Sequence, residues 1–73
     1  MKQTIITQEA LEKLKVELEK YKGKRKELSL RIERAKEMGD LSENFEYHEA
    51  KEAQGLNEAK IREIDHQIKT AII

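Results

Sequence analysis

The sequence lacks cysteine and proline entirely among its 73 residues. Without cysteine, the fold has neither disulfide bonds nor thiolate metal ligands to stabilise it. The absence agrees with a reducing compartment, and we therefore expect a cytoplasmic location. No apolar run approaches the roughly 18 residues that a membrane span needs, and the start of the chain is polar. We therefore expect neither a membrane-spanning segment nor a signal peptide.

Aromatic residues are also scarce, at 4% of the chain, whereas charged residues reach 41%. This mixture suits a long, mostly solvated helix pair and suits a packed globule or a β fold poorly. Basic and acidic residues balance at 15 each, so the net charge of zero provides no overall attraction to nucleic acid or acidic membranes. A chain of this length forms one domain at most, with a modest core.

The charges are unevenly distributed along this neutral chain. Residues 13–36 include ten basic residues, and residues 37–52 include six acidic residues against one lysine. Within the basic half, the run at residues 20–26 is open to two interpretations, a contact with a partner and an ordinary solvated helix face. The sequence thus predicts a basic segment that leads into an acidic centre.

Apolar residues recur at alternating steps of three and four on both sides of this centre, which is the repeat of a coiled-coil seam. Thr7 is a good N-cap for a first helix over about 8–38, and the pattern resumes in a second helix over about 43–71. Folding the chain back at Leu41 aligns the two seams in eight pairs: Leu11–Ala71, Leu14–Ile68, Leu18–Ile64, Tyr21–Ile61, Arg25–Asn57, Leu28–Gln54, Ile32–Ala50 and Ala35–Tyr47. The prediction is an all-α, antiparallel two-helix coiled-coil hairpin with a tight acidic tip at 39–42.

The predicted tip has two interpretations. Gly39 can end the first helix in a left-handed conformation, and Asp40 stands three residues before Glu43. In the first interpretation, Asp40 and Glu43 form a capping box for the second helix, with Ser42 as a competing cap. In the second, the two carboxylates present oxygen ligands for one Mg²⁺ ion and leave most of its coordination shell open. Two carboxylates alone would hold that ion weakly.

The stretch GDLSEN followed by EYH and AKEAQG, together with the opening TQEALEKL, resembles the Gre family of bacterial transcript cleavage factors. The resemblance covers essentially the whole chain. In that family the hairpin is the amino-terminal domain, and a carboxy-terminal domain that docks on RNA polymerase follows it. The resemblance implies that this second domain is absent here. The isoleucines at 5, 6, 72 and 73 agree with such a fragment, or alternatively close the base of the hairpin.

The resemblance also implies a function. The hairpin would enter the secondary channel of RNA polymerase and stimulate the polymerase to cut the backtracked RNA near its 3′ end. Asp40 and Glu43 match the pair that helps to hold a second Mg²⁺ ion there. Catalysis would belong to the polymerase, so the chain would be an accessory factor and not an enzyme. The alternatives are a polymerase-channel binder that does not promote cleavage and a structural arm for oligomerisation.

Other positions at and beside the tip also match the family motif, and most of them have a simpler structural interpretation as well. Ser42 and Asn44 would support the tip by hydrogen bonds, with helix capping as the simpler role, and Tyr47 would pack on the seam. Lys36 and Lys51 flank the tip and would contact RNA or polymerase, or form ion pairs with neighbouring glutamates.

Two positions depart from the resemblance, because Phe45 and Glu49 stand where small residues are usual. Phe45 would pack on Met38 or alter the contacts inside the channel. Self-association of the chain through its isoleucine ends is a further expectation.

Overall fold

Two long helices form most of the chain. In a computed structural model, which describes residues 4–40 and 43–72, helix α1 spans Gln8–Lys36 and helix α2 spans Phe45–Lys69. Residues late in α1 contact residues early in α2, as Arg31 and Glu49 do, so the helices run antiparallel. The predicted helical hairpin is confirmed. No helix in the described part of the chain is long and apolar enough to cross a membrane.

The first helix begins where its cap predicts. Thr7 has extended backbone angles, and its Oγ1 accepts a hydrogen bond from the backbone N–H of Ala10 at 3.0 Å. This bond satisfies one of the four backbone donors that a helix start leaves without a partner. At the other end α1 stops at Lys36, two residues before the predicted end. Helix α2 starts two residues later and ends two residues earlier than the predicted range 43–71.

The core is a narrow apolar seam between the helices. Leu18, Ile61 and Ile64 are buried in one cluster, and three half-buried side chains pack against it: Leu14, Tyr21 and Ile68. These six residues make up three of the predicted seam pairs. A second buried section lies nearer the tip, where Ala35 and Ala50 are 2% and 0% exposed. The small alanine side chains allow the two helices to approach closely just below the turn.

The polar middle of the seam is arranged differently from the prediction. Arg25 does not lie opposite Asn57 as a seam partner but forms a bidentate ion pair with Glu58, with both N···O distances at 2.8 Å. Asn57 is buried, and its Nδ2 donates a hydrogen bond to the backbone carbonyl of Tyr21 at 2.9 Å. The long side chain of Arg25 reaches the solvated edge of the rod, whereas the shorter side chain of Asn57 stays buried and its donor bonds to a backbone carbonyl.

Two short strands close the base of the hairpin. Strand β1, Thr4–Ile5, pairs in parallel with strand β2, Ala71–Ile72, and the backbone N–H of Ile6 donates to the carbonyl of Ile72 at 2.8 Å. The pairing joins the base through backbone groups, while the side chain of Ile5 remains 83% exposed. The sequence did not predict these strands, because a two-residue strand has no periodicity to detect. Ala71, assigned to the second helix by the seam pattern, lies in β2.

The molecule is an elongated rod. Its principal dimensions are 51 × 21 × 12 Å, which agrees with a first helix of 29 residues at about 1.5 Å per residue. The strands lie at one extremity and the connection between the helices lies at the other. The connection between the helices therefore lies far from the apolar cluster of Leu18, Ile61 and Ile64.

Candidate functional site

The connection between the helices forms the tip of the rod and spans residues 37–44, which is longer than the predicted 39–42. The backbone N–H of Met38 donates to the carbonyl of Ala35 at 3.1 Å as α1 ends. Gly39 follows with a φ of +124°, a backbone angle that residues with a Cβ atom rarely adopt. Glycine at this position therefore lets the chain leave the axis of α1 within one residue.

Asn44 joins the two sides of the tip. Its Oδ1 accepts a hydrogen bond from the backbone N–H of Tyr47 at 3.1 Å and so caps the start of α2. Its Nδ2 donates to the carbonyl of Ala35, in the last turn of α1. One side chain thus satisfies an orphan donor of the second helix and a carbonyl of the first. The capping role predicted for Asn44 is confirmed, and its bond to Ala35 was not predicted.

The predicted capping box at Asp40 and Glu43 is wrong. Helix α2 starts at Phe45 with Asn44 as its N-cap, so Asp40 lies too far upstream to cap it. The backbone N–H of Glu43 approaches the carbonyl of Asp40 at 3.4 Å, which closes a turn between the two residues. Asn44 caps α2 in place of Asp40 because it directly precedes the first helical turn and offers both an acceptor and a donor. The competing cap, Ser42, lies outside the described residues, as does the predicted reversal point at Leu41.

The two carboxylates predicted to bind metal lie at the tip, and both residues are exposed. Carboxylate oxygens are ligands that Mg²⁺ accepts, and this ion commonly takes only one or two from a protein. Among residues 4–40 and 43–72, no group of three or more acidic, histidine or cysteine side chains is placed to hold a metal ion. Two carboxylates are too few to hold this ion tightly, so the donor set of Asp40 and Glu43 fits an ion that a second molecule also coordinates.

The remaining predicted tip residues have separate environments. Tyr47 is half-buried, as the seam pattern predicts, and its ring meets the His48 ring edge-on with centroids 5.6 Å apart. Lys36 and Lys51 are exposed, and neither forms an ion pair within the described residues. The glutamate ladder considered for these two lysines is thus not seen in that part of the chain.

Sequence reasoning missed the exposed apolar surface at the tip. Phe45 is 87% exposed and Met38 is 67% exposed, so neither side chain is buried against the other as one interpretation had it. The available signal was the spacing, since Phe45 precedes the seam position Tyr47 by two residues and so falls off the predicted seam. Together, the tip and the residues that flank it present several exposed carboxylates, the exposed Lys36 and two exposed apolar side chains near one end of a narrow rod.

Comparisons with known proteins agree with this architecture. The family described as "Transcription elongation factor, N-terminal", which covers GreA and GreB, matches residues 4–73. The transcription elongation factor GreA of Lachnoclostridium phytofermentans is 51% identical over 71 residues, 96% of this chain and 44% of that protein. GreA of Staphylococcus carnosus is 49% identical over 73 residues, 99% of this chain and 46% of that protein.

The chain thus spans less than half the length of these curated relatives. No solved structure gives a significant match.

Proposed function

The chain belongs to the GreA and GreB family of transcription elongation factors and matches its amino-terminal domain, and on this premise we propose that it acts on transcribing RNA polymerase. In this proposal the hairpin enters the secondary channel of the bacterial enzyme and stimulates cleavage of backtracked RNA. The polymerase performs the reaction, and the chain is an accessory factor. A cytoplasmic location follows from that role.

The observation that carries the proposal is the placement of Asp40 and Glu43 at the exposed end of the rod. The rod is 51 Å long and 21 Å by 12 Å across, so its tip can reach a site that lies deep in a narrow channel. The bonds of Asn44 to both helices hold the turn in position. A carboxylate pair on such a support can be delivered into a site built by another protein.

Asp40 and Glu43 would hold a Mg²⁺ ion together with ligands from the polymerase. Their oxygens suit that ion, and the described part of the chain does not complete its shell. When bound, such an ion supplies charge stabilisation and activates water for phosphodiester hydrolysis. The contribution of this chain is to orient two negatively charged oxygen donors and to keep them next to each other through the turn.

Lys36 and Lys51 complete the proposed site. Both residues are exposed and make no ion pair in the described part of the chain; Lys36 precedes Asp40 by four residues, and Lys51 follows Glu43 by eight. Their amines would contact phosphates of the RNA 3′ segment or acidic groups of the polymerase. Lysine is a flexible point charge, so it suits phosphate contacts that need no fixed geometry.

Two alternatives predict different results. A hairpin that binds the channel without promoting cleavage would bind polymerase and leave the RNA intact. An oligomerisation arm would depend on its seam, so the tip carboxylates would be replaceable. The spacing of Asp40 and Glu43 favours cleavage over both alternatives, because a non-cleaving binder would use a different carboxylate arrangement and an oligomerisation arm would need no carboxylates at its tip.

A cleavage assay on backtracked elongation complexes tests the proposal. The chain, joined to the carboxy-terminal part of the Staphylococcus carnosus relative, is mixed with stalled complexes and Mg²⁺. We expect Asp40→Asn plus Glu43→Gln to reduce the stimulated cleavage rate at saturating factor by roughly 100-fold, by analogy with the loss of metal ligands or their supports. Raising the Mg²⁺ concentration should partly restore activity to either single variant.

A matched control removes the same charge from the shaft of the rod. Glu27 and Glu33 are exposed and form no ion pair in the described part of the chain. We expect Glu27→Gln plus Glu33→Gln to leave the cleavage rate unchanged. Cleavage that persists in the tip variant would exclude the metal role, and equal losses in both variants would indicate a general charge effect.

A further inference from the structure

Phe45 is an aromatic residue in an unusual environment. It is the only phenylalanine of the chain, and at 87% exposure it is the most exposed large hydrophobic residue among those described. Met38, on the other side of the same turn, is 67% exposed. Neither residue takes part in the seam, whose buried side chains begin again at Ala50. The apolar surface of this pair is therefore available to a partner.

The backbone under Phe45 is held in place before any partner binds. Phe45 is the first residue of α2 and directly follows Asn44, which bonds to the amide of Tyr47 and to the carbonyl of Ala35. Aromatic side chains on a fixed backbone lose little conformational entropy on binding, and they are frequent anchors at interface centres. The geometry thus favours Phe45 as an anchor over a mobile surface residue.

The surrounding charge indicates the kind of partner. Asp40, Glu43 and Glu46 are all exposed within a few residues of the ring. These three carboxylates lie closer to Phe45 in sequence than Lys36 or Lys51 do, and they repel RNA phosphates, which disfavours an RNA base as the group that stacks on the ring. The same carboxylates complement a protein pocket that is apolar inside and lined by arginine or lysine at its rim.

We propose that Phe45, assisted by Met38, anchors the tip in an apolar, basic-rimmed protein pocket of RNA polymerase. This inference rests on the proposed function and adds a contact to it. The acidic pair then has two supports: Asn44 fixes the turn within the chain, and Phe45 fixes the turn against the partner. Phe45 acts on affinity and not on the reaction, because its ring offers neither a proton nor a metal ligand.

The concentration dependence of stimulated cleavage tests the anchor. We expect Phe45→Ala to raise the half-saturating concentration roughly tenfold, as a lost aromatic anchor does, and to leave the rate at saturation within about twofold. Met38→Ala should raise the half-saturating concentration less. Val16→Ala is the matched control, because Val16 is 69% exposed on the shaft, and it should change neither quantity. An unchanged half-saturating concentration for Phe45→Ala would overturn the proposal.

Cross-linking identifies what the ring contacts. With p-benzoylphenylalanine in place of Phe45, irradiation of the complex should link the chain to a polymerase subunit at a site that includes arginine or lysine. Cross-links to RNA alone would overturn the protein pocket. The same substitution at Val16 should give few cross-links.

Direct binding separates this proposal from the proposed function. Fluorescence anisotropy of the labelled chain with polymerase measures affinity without any cleavage. Binding that depends on Phe45 in the absence of stimulated cleavage would support the anchor and reject the cleavage role. Stimulated cleavage together with binding that ignores Phe45 would reject the anchor alone.

Discussion

At the scale of single residues, two asparagines of α2 hold the helices together through backbone groups of α1. Asn44 donates to the carbonyl of Ala35 near the tip, and Asn57 donates to the carbonyl of Tyr21 in the middle of the rod. Apolar seam contacts tolerate sliding by a heptad, whereas a buried amide loses its partner when the register shifts. These two bonds therefore specify the register of the two helices that carry the tip.

Replacement of Asn44 tests this role. We expect Asn44→Ala to lower the free energy of unfolding by about 1–2 kcal/mol, since it removes the helix cap and the bond to Ala35. Asn44→Ser keeps a capping oxygen without the amide donor and should cost less. Urea unfolding followed by circular dichroism measures both. Equal stability of the alanine variant and the parent chain would show that the cap contributes nothing.

At the scale of elements, each helix carries one glycine in its interior, Gly23 in α1 and Gly55 in α2. A Cβ added at Gly23 or Gly55 would meet no atom within 4 Å. These positions weaken the helices without making a close contact that requires glycine. Gly39 is different, because its φ of +124° is needed for the exit from α1. The sequence already separates the two kinds of glycine, since Gly39 falls between the two seam patterns whereas Gly23 and Gly55 fall within them.

Alanine substitutions should therefore have opposite effects. We expect Gly23→Ala and Gly55→Ala each to raise the free energy of unfolding by about 0.5–1 kcal/mol, because alanine restricts the unfolded chain and favours the helix. Gly39→Ala should lower it by about 1–2 kcal/mol through backbone strain. Thermal and urea unfolding of the three variants provide the comparison. Destabilisation by Gly23→Ala would indicate that the rod bends at this level.

At the scale of the whole molecule, a thin rod with a small core depends partly on ion pairs along its sides. Arg25 spans the two helices to Glu58, and Lys69 contacts Asp65 one turn away at 2.9 Å. The hydrogen bond from Arg25 lowers the pKa of Glu58, and the hydrogen bond from Lys69 lowers the pKa of Asp65. Exposed pairs contribute little each, so their effect on the rod is modest.

The direction of the pH dependence follows from these lowered pKa values. A carboxylate whose pKa is lower in the folded state stabilises that state above its unfolded pKa, about 4, and loses this effect as the pH falls through the folded value. We expect the melting temperature to decrease below about pH 4. The decrease should be smaller in Glu58→Gln and unchanged in Glu27→Gln, as measured by circular dichroism. A melting temperature that rises in acid would contradict the role of these pairs.

Most of the fold was predictable because it depends on local spacing. The three-and-four repeat placed Leu18, Ile61 and Ile64 on the seam, and Thr7 marked the start of α1. The acidic tip and its two carboxylates were predictable for the same reason, as they lie between the two repeats. The exposure of the Phe45 side chain was harder to predict, because it depends on the residue at which α2 starts. The metal role of Asp40 and Glu43 remains a prediction.

By itself, the sequence determined two helices, the seam that pairs them and the acidic segment at the turn, because periodicity and helix propensity act within a few residues. The tertiary structure decided which side chain caps α2, which carbonyl Asn57 contacts and how the base closes. Each of these depends on groups that are distant in the chain and become neighbours only after folding: Asn44 and Ala35, Asn57 and Tyr21, and strands β1 and β2.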